Sequence, residues 1–394
     1  MQKWMILVGF LGVLLASVEA LAEKEGKATI SLTDGITISS SEQQKQEYGA
    51  QGLENKIRQT EAQQTKEDDG GFLSFLSFSF FSKNDEKVVE PEKNEKIEDF
   101  MTRIYHMAEQ GDTNALMTLG YMYLYGVNGV EVNYKKAYEY YKLAAENGDS
   151  VAINNLGSLY YSGTGVRRDV FQAAQLFAQA SDLGNMDSTL NLAVIYLSEK
   201  GQLGNTKEAV NLLKKAAEKN NPVGKYMLGY LYLKGIGIPK NARKAIENIR
   251  FAAEQNYDEA QYMMGYLYLH GMGVMQNYNN ALNYLMRAYN QGNISAIYMI
   301  GNLYAAGTKI EPDFYKSYVA FNLCAYYGVA DAAKKRDIVG KEKLKTSEIL
   351  QAQTEAENFK FEPSPLTTYV KSTFGNSLAL YIDKSAPIVT TIQE

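Results

Sequence analysis

A repeat of about 36 residues in the middle of the chain limits its possible folds more than any other feature of the sequence. In each copy a large apolar residue precedes a small one, and this small residue is the anchor of the copy. The anchors are Gly120, Gly157, Ala193, Gly229, Gly265 and Gly301. Three positions after them stand Tyr123, Tyr160, Tyr196, Tyr232, Tyr268 and Tyr304. Positions −5, −1, +2 and +3 from the anchor share one face of an α-helix, so each copy begins with a helix that buries this face.

A second helix follows in each copy. Its packing position carries alanine five times and cysteine once, at Ala144, Ala180, Ala216, Ala252, Ala288 and Cys324. Four residues further on stand only glycine or asparagine, at Gly148, Gly184, Asn220, Asn256, Gly292 and Gly328. These two residue types accept the left-handed backbone conformation that ends a helix. The position is therefore a predicted C-terminal cap.

Two helices in every copy predict an all-α fold, a right-handed α-solenoid of antiparallel helix pairs. The predicted solenoid covers residues 97–361. It begins with a capping helix at residues 97–111 and ends with a capping pair at residues 329–361. Between these lie six repeats, at residues 112–148, 149–184, 185–220, 221–256, 257–292 and 293–328. The third repeat has alanine as its anchor and a different loop, so its curvature is left open.

The first 22 residues resemble a secretory signal peptide. Lys3 precedes an apolar stretch at residues 4–16, and small residues at 20–22 provide a cleavage site. The apolar stretch is shorter than the roughly 20 residues that a membrane span requires. We therefore expect an exported protein, periplasmic or secreted, with no transmembrane segment in the mature chain.

Polar segments flank the predicted solenoid. Residues 23–96 are predicted to be disordered, except for a phenylalanine-rich segment at residues 72–81. That segment either docks on a partner or folds back on its own domain, through Phe72, Phe75, Phe78, Phe80 and Phe81. Residues 362–394 form a tail with three open alternatives: disorder, a path along the solenoid, or addition of strands to a partner.

The composition excludes several classes of site. One cysteine, Cys324, cannot form an intramolecular disulfide or a thiolate zinc site, and two histidines leave little room for a histidine-rich metal centre. A formal net charge of −5 lacks the basic surplus of nucleic-acid binders. No nucleophile motif accompanies His106 or His270. We expect a protein that is not an enzyme and that uses no cofactor, metal or nucleic acid.

The repeated pattern resembles the Sel-like repeat family, which is related to tetratricopeptide repeats. The pattern Ala-x-x-x-Leu-Gly-x-x-Tyr-x-x-Gly-x-Gly-Val, followed by Lys-Ala, is clearest at residues 229–253 and 265–288. The resemblance covers about two thirds of the chain. It implies an interaction scaffold: family members are adaptors in secretory-pathway protein disposal, in bacterial signalling and in envelope or host-contact proteins. This chain lacks the cysteines of the family's disulfide-rich branch.

A second line of residues, at −3, +1 and +5 from each anchor, follows the face opposite the buried one. We call it the variable stripe, because it differs between copies whose buried positions are nearly the same. Tyrosine is favoured at interfaces because its ring is apolar and its hydroxyl forms hydrogen bonds. The predicted partner-binding residues are Tyr121, Tyr125, Tyr226, Tyr230, Lys234, Tyr262, Tyr266, His270, Tyr298 and Asn302. The alternative is that some of these tyrosines pack between adjacent first helices. On the first interpretation, Tyr232→Ala costs stability and Tyr230→Ala does not.

The sequence thus predicts an exported scaffold that binds proteins at the bacterial envelope or on host cells, with a possible role in virulence or host entry. Two alternatives remain open. One is an enzyme or enzyme modulator that acts on cell-wall material. The other is an adaptor for protein disposal in a secretory pathway.

Overall fold

The computed structural model describes residues 89–92, 95–198 and 204–373. The predicted signal peptide, the phenylalanine-rich segment and residues 374–394 lie outside these ranges. All regular secondary structure within them is helical. The helices are α1 Ile97–Glu109, α2 Thr113–Tyr125, α3 Tyr134–Glu146, α4 Ser150–Ser162, α5 Val170–Asp182, α6 Met186–Ser198, α7 Thr206–Glu218, α8 Pro222–Lys234, α9 Ala242–Glu254, α10 Asp258–His270, α11 Tyr278–Asn290, α12 Ile294–Ala306, α13 Phe314–Tyr326, α14 Ala332–Lys343, α15 Thr346–Asn358 and α16 Pro365–Thr373.

The helices pack in sequence order, each against the next, from α1 to α14. The first helices of the six repeats are α2, α4, α6, α8, α10 and α12, and each pairs with the helix that follows it. Helix α1 precedes the first repeat, while α14 and α15 both pack on α13 after the last one. The prediction of an α-solenoid built from helix pairs is confirmed.

The anchor glycines let the two helices of a repeat approach closely. A Cβ at Gly157 would stand 2.9 Å from a ring carbon of Phe177, and one at Gly265 would stand 2.6 Å from Cγ of Leu285. The second helix therefore places a large side chain where the first helix has none. This contact explains why a small residue recurs at the anchor.

Small residues also mark the contact between neighbouring repeats. All six predicted packing residues of the second helices, from Ala144 to Cys324, are fully buried. At one junction a Cβ at Gly224, in α8, would lie 2.5 Å from that of Ala216, in α7. The predicted caps are confirmed as well, since Asn220 and Asn256 have φ of 57° and 61° and the four glycines have φ between 80° and 92°.

In each of the six repeats, an Asp or Asn side chain caps the N-terminus of the second helix. The backbone of the same residue bonds to the first helix of the repeat. The caps are Asn133, Asp169, Asn205, Asn241, Asn277 and Asp313. The N–H of each cap donates to the carbonyl of the +3 tyrosine of its own repeat, over 2.8–3.2 Å. The same hydrogen bond is present in repeat three, from the N–H of Asn205 to the carbonyl of Tyr196. The tyrosine rings themselves are buried in two repeats and half-buried in four.

Residues at the end of the predicted disordered segment pack on the first helices. Val89 N–H donates to Oγ1 of Thr118 over 2.9 Å, and the Val89 side chain packs on the cluster that contains Phe100. Arg103 forms two hydrogen bonds with the carboxylate of Glu95, at 2.7 and 2.9 Å. The hydrogen bonds from Arg103 lower the pKa of Glu95 to about 2. The prediction of disorder is therefore wrong for residues 89–92 and 95–96.

The described part of the tail lies along the solenoid, which was one of the three open alternatives. After α15 the chain turns back, and the N–H of Glu362 donates to the carbonyl of Asn290 over 2.8 Å. Helix α16 then reaches the junction between repeats four and five, where Val370 is buried in the same apolar cluster as Tyr226. Residues 362–373 thus run from the end of the fifth repeat toward the fourth.

Candidate partner-binding surface

The exposure of the variable stripe changes along each first helix. The −3 residues are buried in all six repeats: Met117, Asn154, Leu190, Tyr226, Tyr262 and Tyr298. The +5 residues are exposed in four repeats and half-buried in two: Tyr125, Ser162, Ser198, Lys234, His270 and Ala306. The +1 residues are buried in two repeats and half-buried in four. The stripe is continuous on each helix, but only its C-terminal end is open.

The predicted exposure of Tyr226, Tyr262 and Tyr298 is therefore wrong. The first helix of the next repeat closes over the −3 position. Asn154 shows the contact most clearly, because its Oδ1 accepts hydrogen bonds from Ser188 Oγ at 2.8 Å and from Asn191 Nδ2 at 3.1 Å, both in α6. This is the alternative in which stripe residues pack between adjacent first helices.

The predicted exposure of Tyr230, at a +1 position, is also wrong. Its side chain is 1% exposed, compared with 8% for the +3 residue Tyr232. The predicted contrast, in which Tyr232→Ala costs stability and Tyr230→Ala does not, does not fit this burial. The other three predicted +1 residues, Tyr121, Tyr266 and Asn302, are half-buried.

In the last repeat α14 and the residue before it cover the −3 and +1 positions of the stripe. The Tyr298 hydroxyl donates to Oδ2 of Asp331 over 2.6 Å. Lys335 Nζ donates to the Tyr298 hydroxyl and to Asn302 Oδ1, both over 2.7 Å. The hydrogen bond from Tyr298 lowers the pKa of Asp331. Tyr298 and Asn302 hold the end of the solenoid, and the sequence pattern gave no signal for their partners Asp331 and Lys335.

Five predicted residues remain at the open end of the stripe, and we call them the rim: Tyr121, Tyr125, Lys234, Tyr266 and His270. Within a helix they lie against each other, as their spacing predicts. The ring centroids of Tyr121 and Tyr125 are 4.8 Å apart, and those of Tyr266 and His270 are 4.3 Å apart. Partial burial and the positive charge of Lys309 lower the pKa of His270. The rim thus combines aromatic faces with one ammonium group.

The other candidate reactive groups have structural positions. Cys324 is fully buried, and burial raises the pKa of its thiol to about 12. A thiol of this kind is protonated at neutral pH and reacts poorly. Among the described residues there is no group of three or more His, Cys, Asp or Glu side chains that could hold a metal ion. Helices long and apolar enough to cross a membrane are likewise absent from the described ranges.

A family model, the Sel1 repeat, matches the chain six times. The matched residues are 113–149, 150–185, 187–221, 222–257, 258–293 and 294–329. The chain belongs to the Sel1 repeat family. Proteins built from Sel1 repeats are protein-interaction scaffolds and are typically not enzymes.

A solved structure of a Sel1 repeat protein shares this fold, and a second shows a weaker similarity. A Sel1 repeat protein from Oxalobacter formigenes is 24% identical, and the match covers 59% of this chain and all of that one, with a TM-score of 0.52. A protective antigen of uropathogenic Escherichia coli strains, which displays an SLR fold, is 26% identical. That match covers 73% of this chain and 67% of the antigen, with a TM-score of 0.43.

One curated protein, from Arabidopsis thaliana, is similar over a short segment. It is the ERAD-associated E3 ubiquitin-protein ligase component HRD3B, which is 49% identical over 55 residues. The segment amounts to 14% of this chain and 9% of the plant protein.

Proposed function

We propose that this Sel1 repeat protein is an exported scaffold that binds a protein partner through the rim. The observation that carries the proposal is the opening of the variable stripe at one end, where His270 is exposed and the other four rim residues, from repeats one, four and five, are half-buried. Tyrosine rings supply apolar contact area with little loss of conformational freedom, and Lys234 adds a charge for orientation. The −3 tyrosines support the helices beneath and do not take part in the contact.

The proposed place of action is the bacterial envelope or the surface of a host cell, with a role in virulence or host entry. The signal-peptide pattern of residues 1–22 supports export. If the proposal is right, the mature protein purified from its own host begins at Glu23, and mass spectrometry of its N-terminal peptide shows this. An N-terminal peptide that retains the apolar stretch 4–16 contradicts it.

A second function is favoured by one observation, the 49% identity over 55 residues with a plant component of a protein-disposal ligase. In this alternative the scaffold is an adaptor for protein disposal in a secretory pathway. The two functions differ in the partner: an envelope or host protein in the first case, and components of a ubiquitin ligase in the second.

Site-specific photo-crosslinking in the native host tests the rim. A benzophenone amino acid replaces His270 in the full chain, and a matched control places it at Phe171, an aromatic residue that is 54% exposed on the second helix of repeat two. We expect a cross-linked partner from position 270 and none from position 171. Equal cross-linking at both positions, or none at position 270, overturns the assignment of the rim. Mass spectrometry of the cross-linked product then decides between the two functions.

A further inference from the structure

The first helix of the fifth repeat lacks the N-terminal cap that the other five first helices have. In those five an Asp or Asn side chain accepts a hydrogen bond from a backbone N–H in the first turn. These caps are Asp112, Asp149, Asn185, Asn221 and Asn293. In repeat five the same position is Tyr257, which makes no side-chain cap. An uncapped helix leaves backbone donors without partners, which lowers the stability of the helix.

A residue 109 positions beyond Asp258 accepts a hydrogen bond from the first N–H of this helix. The N–H of Asp258 donates to Oγ1 of Thr367 over 3.1 Å, in a buried environment. The Thr367 hydroxyl donates in turn to Oε1 of Gln291 over 2.8 Å. Thr367 is fully buried, so both bonds form away from solvent. The tail thus provides the partner of the first N–H of this helix, while the second, that of Glu259, donates to Oδ1 of Asp258 over 2.9 Å.

The acceptor Gln291 is also held by residues of the solenoid. Its Nε2 donates to Oε1 of Gln261 over 2.7 Å, and Nε2 of Gln261 lies 3.2 Å from both the Ala253 carbonyl and Oδ1 of Asn256. Gln261 is fully buried at a position where the other repeats have Leu116, Ile153, Thr189, Lys225 and Ile297. A buried amide chain costs stability unless its groups are bonded. Ser364 and Thr367 complete this chain, because the N–H of Ser364 also donates to Gln291 Oε1, over 2.9 Å.

Charge and apolar contacts fix the rest of the tail. Asp258 is 1% exposed, and its Oδ2 pairs with Nζ of Lys371 over 2.9 Å. A buried carboxylate is costly without such a partner. At the other end of the segment the Phe361 ring covers Gly292, where a Cβ would lie 3.0 Å from its Cγ. The tail therefore makes three kinds of contact at the junctions of repeats four, five and six. Its hydroxyls form hydrogen bonds, its ammonium group pairs with a carboxylate, and its aromatic ring packs on a glycine.

We propose that these junctions form a peptide-binding site and that its ligand is the chain's own segment, residues 361–371. The site recognises a segment with an aromatic residue, two hydroxyls three positions apart and a cation one turn later. Helix α16 has nine residues, fewer than an isolated helix needs to be stable in water. Docking therefore orders the segment, and the site is a reversible latch that holds residues 361–371 on the solenoid. The latch does not depend on partner binding at the rim.

Hydrogen–deuterium exchange of the full chain tests the latch. The probe is Thr367→Val, which keeps the shape of the side chain and removes its hydroxyl, and the matched control is Thr368→Val in the same helix. We expect Thr367→Val to speed exchange at the amides of Asp258, Ser364 and Glu362 by about 10-fold or more. Thr368→Val should leave the Asp258 amide at the wild-type rate. Lys371→Ala, which removes only the exposed partner of the ion pair, should give an intermediate acceleration.

The Asp258 amide decides the outcome, because it belongs to the solenoid and not to the tail. If Thr367→Val speeds exchange only within α16, the helix merely frays and the proposed site is wrong. Light scattering of the wild-type chain identifies the source of the ligand. A monomer is expected, and a dimer with the same protection at Asp258 would mean that a second copy provides the segment, which overturns a latch within one chain.

Discussion

The two ends of the first helices carry the same stripe of side chains and have opposite exposure. At the N-terminal end, position −3 is buried in all six repeats, whereas at the C-terminal end position +5 is at least half-open in each. The N-terminal ends are closed by the next first helix, in repeat six by α14, and at repeats four and five also by the tail. The C-terminal ends finish in turns such as that at Gly271, where φ is 66°. The spacing of residues in the sequence places them on one face of a helix. The elements packed against each position along that helix determine whether a partner can contact it.

Replacement of Tyr226, at a closed −3 position, is expected to have the largest effect. Tyr226→Ala removes a fully buried ring and should lower the free energy of unfolding by about 3–5 kcal/mol, measured by chemical denaturation. Tyr226→Phe is the matched control. The Tyr226 hydroxyl is buried and has no hydrogen-bond partner among the described residues, so its loss should be neutral or stabilising. A large loss of stability in Tyr226→Phe would contradict this description of the closed end.

Addition of a methyl group at an anchor tests the helix contact beneath the stripe. Gly265→Ala puts a Cβ 2.6 Å from Leu285 and 3.1 Å from the Ala281 carbonyl. Overpacking of this kind should cost about 1–3 kcal/mol in a thermal or denaturant melt, although alanine is the better helix former. The double variant Gly265→Ala/Leu285→Val should recover part of the loss. Simple additivity of the two changes would show that Leu285 is not the group that requires glycine.

Much of the fold could be predicted because the same sequence signals recur in all six copies of the repeat. Gly148 or Asn220 alone is weak evidence for a cap, but six Gly or Asn residues at one position are specific. Accessibility was harder to predict, since Tyr226 and His270 lie on the same stripe and only the packing of neighbouring repeats separates them. The tail site depends on contacts over more than 100 residues, between Thr367 and Asp258. The one signal in the sequence was Tyr257, where the other repeats have Asp or Asn.

Cys324→Ala should have a smaller effect. The five other repeats have alanine at this packing position, so the solenoid already accommodates it. We expect the free energy of unfolding to fall by about 1 kcal/mol or less, measured by chemical denaturation. In the unaltered chain the thiol should react with a thiol reagent only as fast as the protein unfolds, because it is buried and protonated. Rapid labelling of the native chain would show that this junction is open.

His270→Ala should change stability least. The residue is exposed at the open end. The free energy of unfolding, derived from thermal melts, should therefore change by no more than about 0.5 kcal/mol. Tyr230→Ala, at the buried +1 position of the neighbouring repeat, provides the contrast and should melt well below the wild type. Equal melting temperatures for the two variants would remove the distinction between open and closed ends.

Cysteine labelling on a single helix tests the central claim, that each first helix is closed at −3 and open at +5, most directly. In the Cys324→Ala background the chain has no other cysteine, and α4 offers two small polar residues of the stripe, Asn154 and Ser162. Native-state labelling should be at least about 100-fold faster for Ser162→Cys than for Asn154→Cys, because the latter must wait for local opening. Similar rates at the two positions would contradict the account.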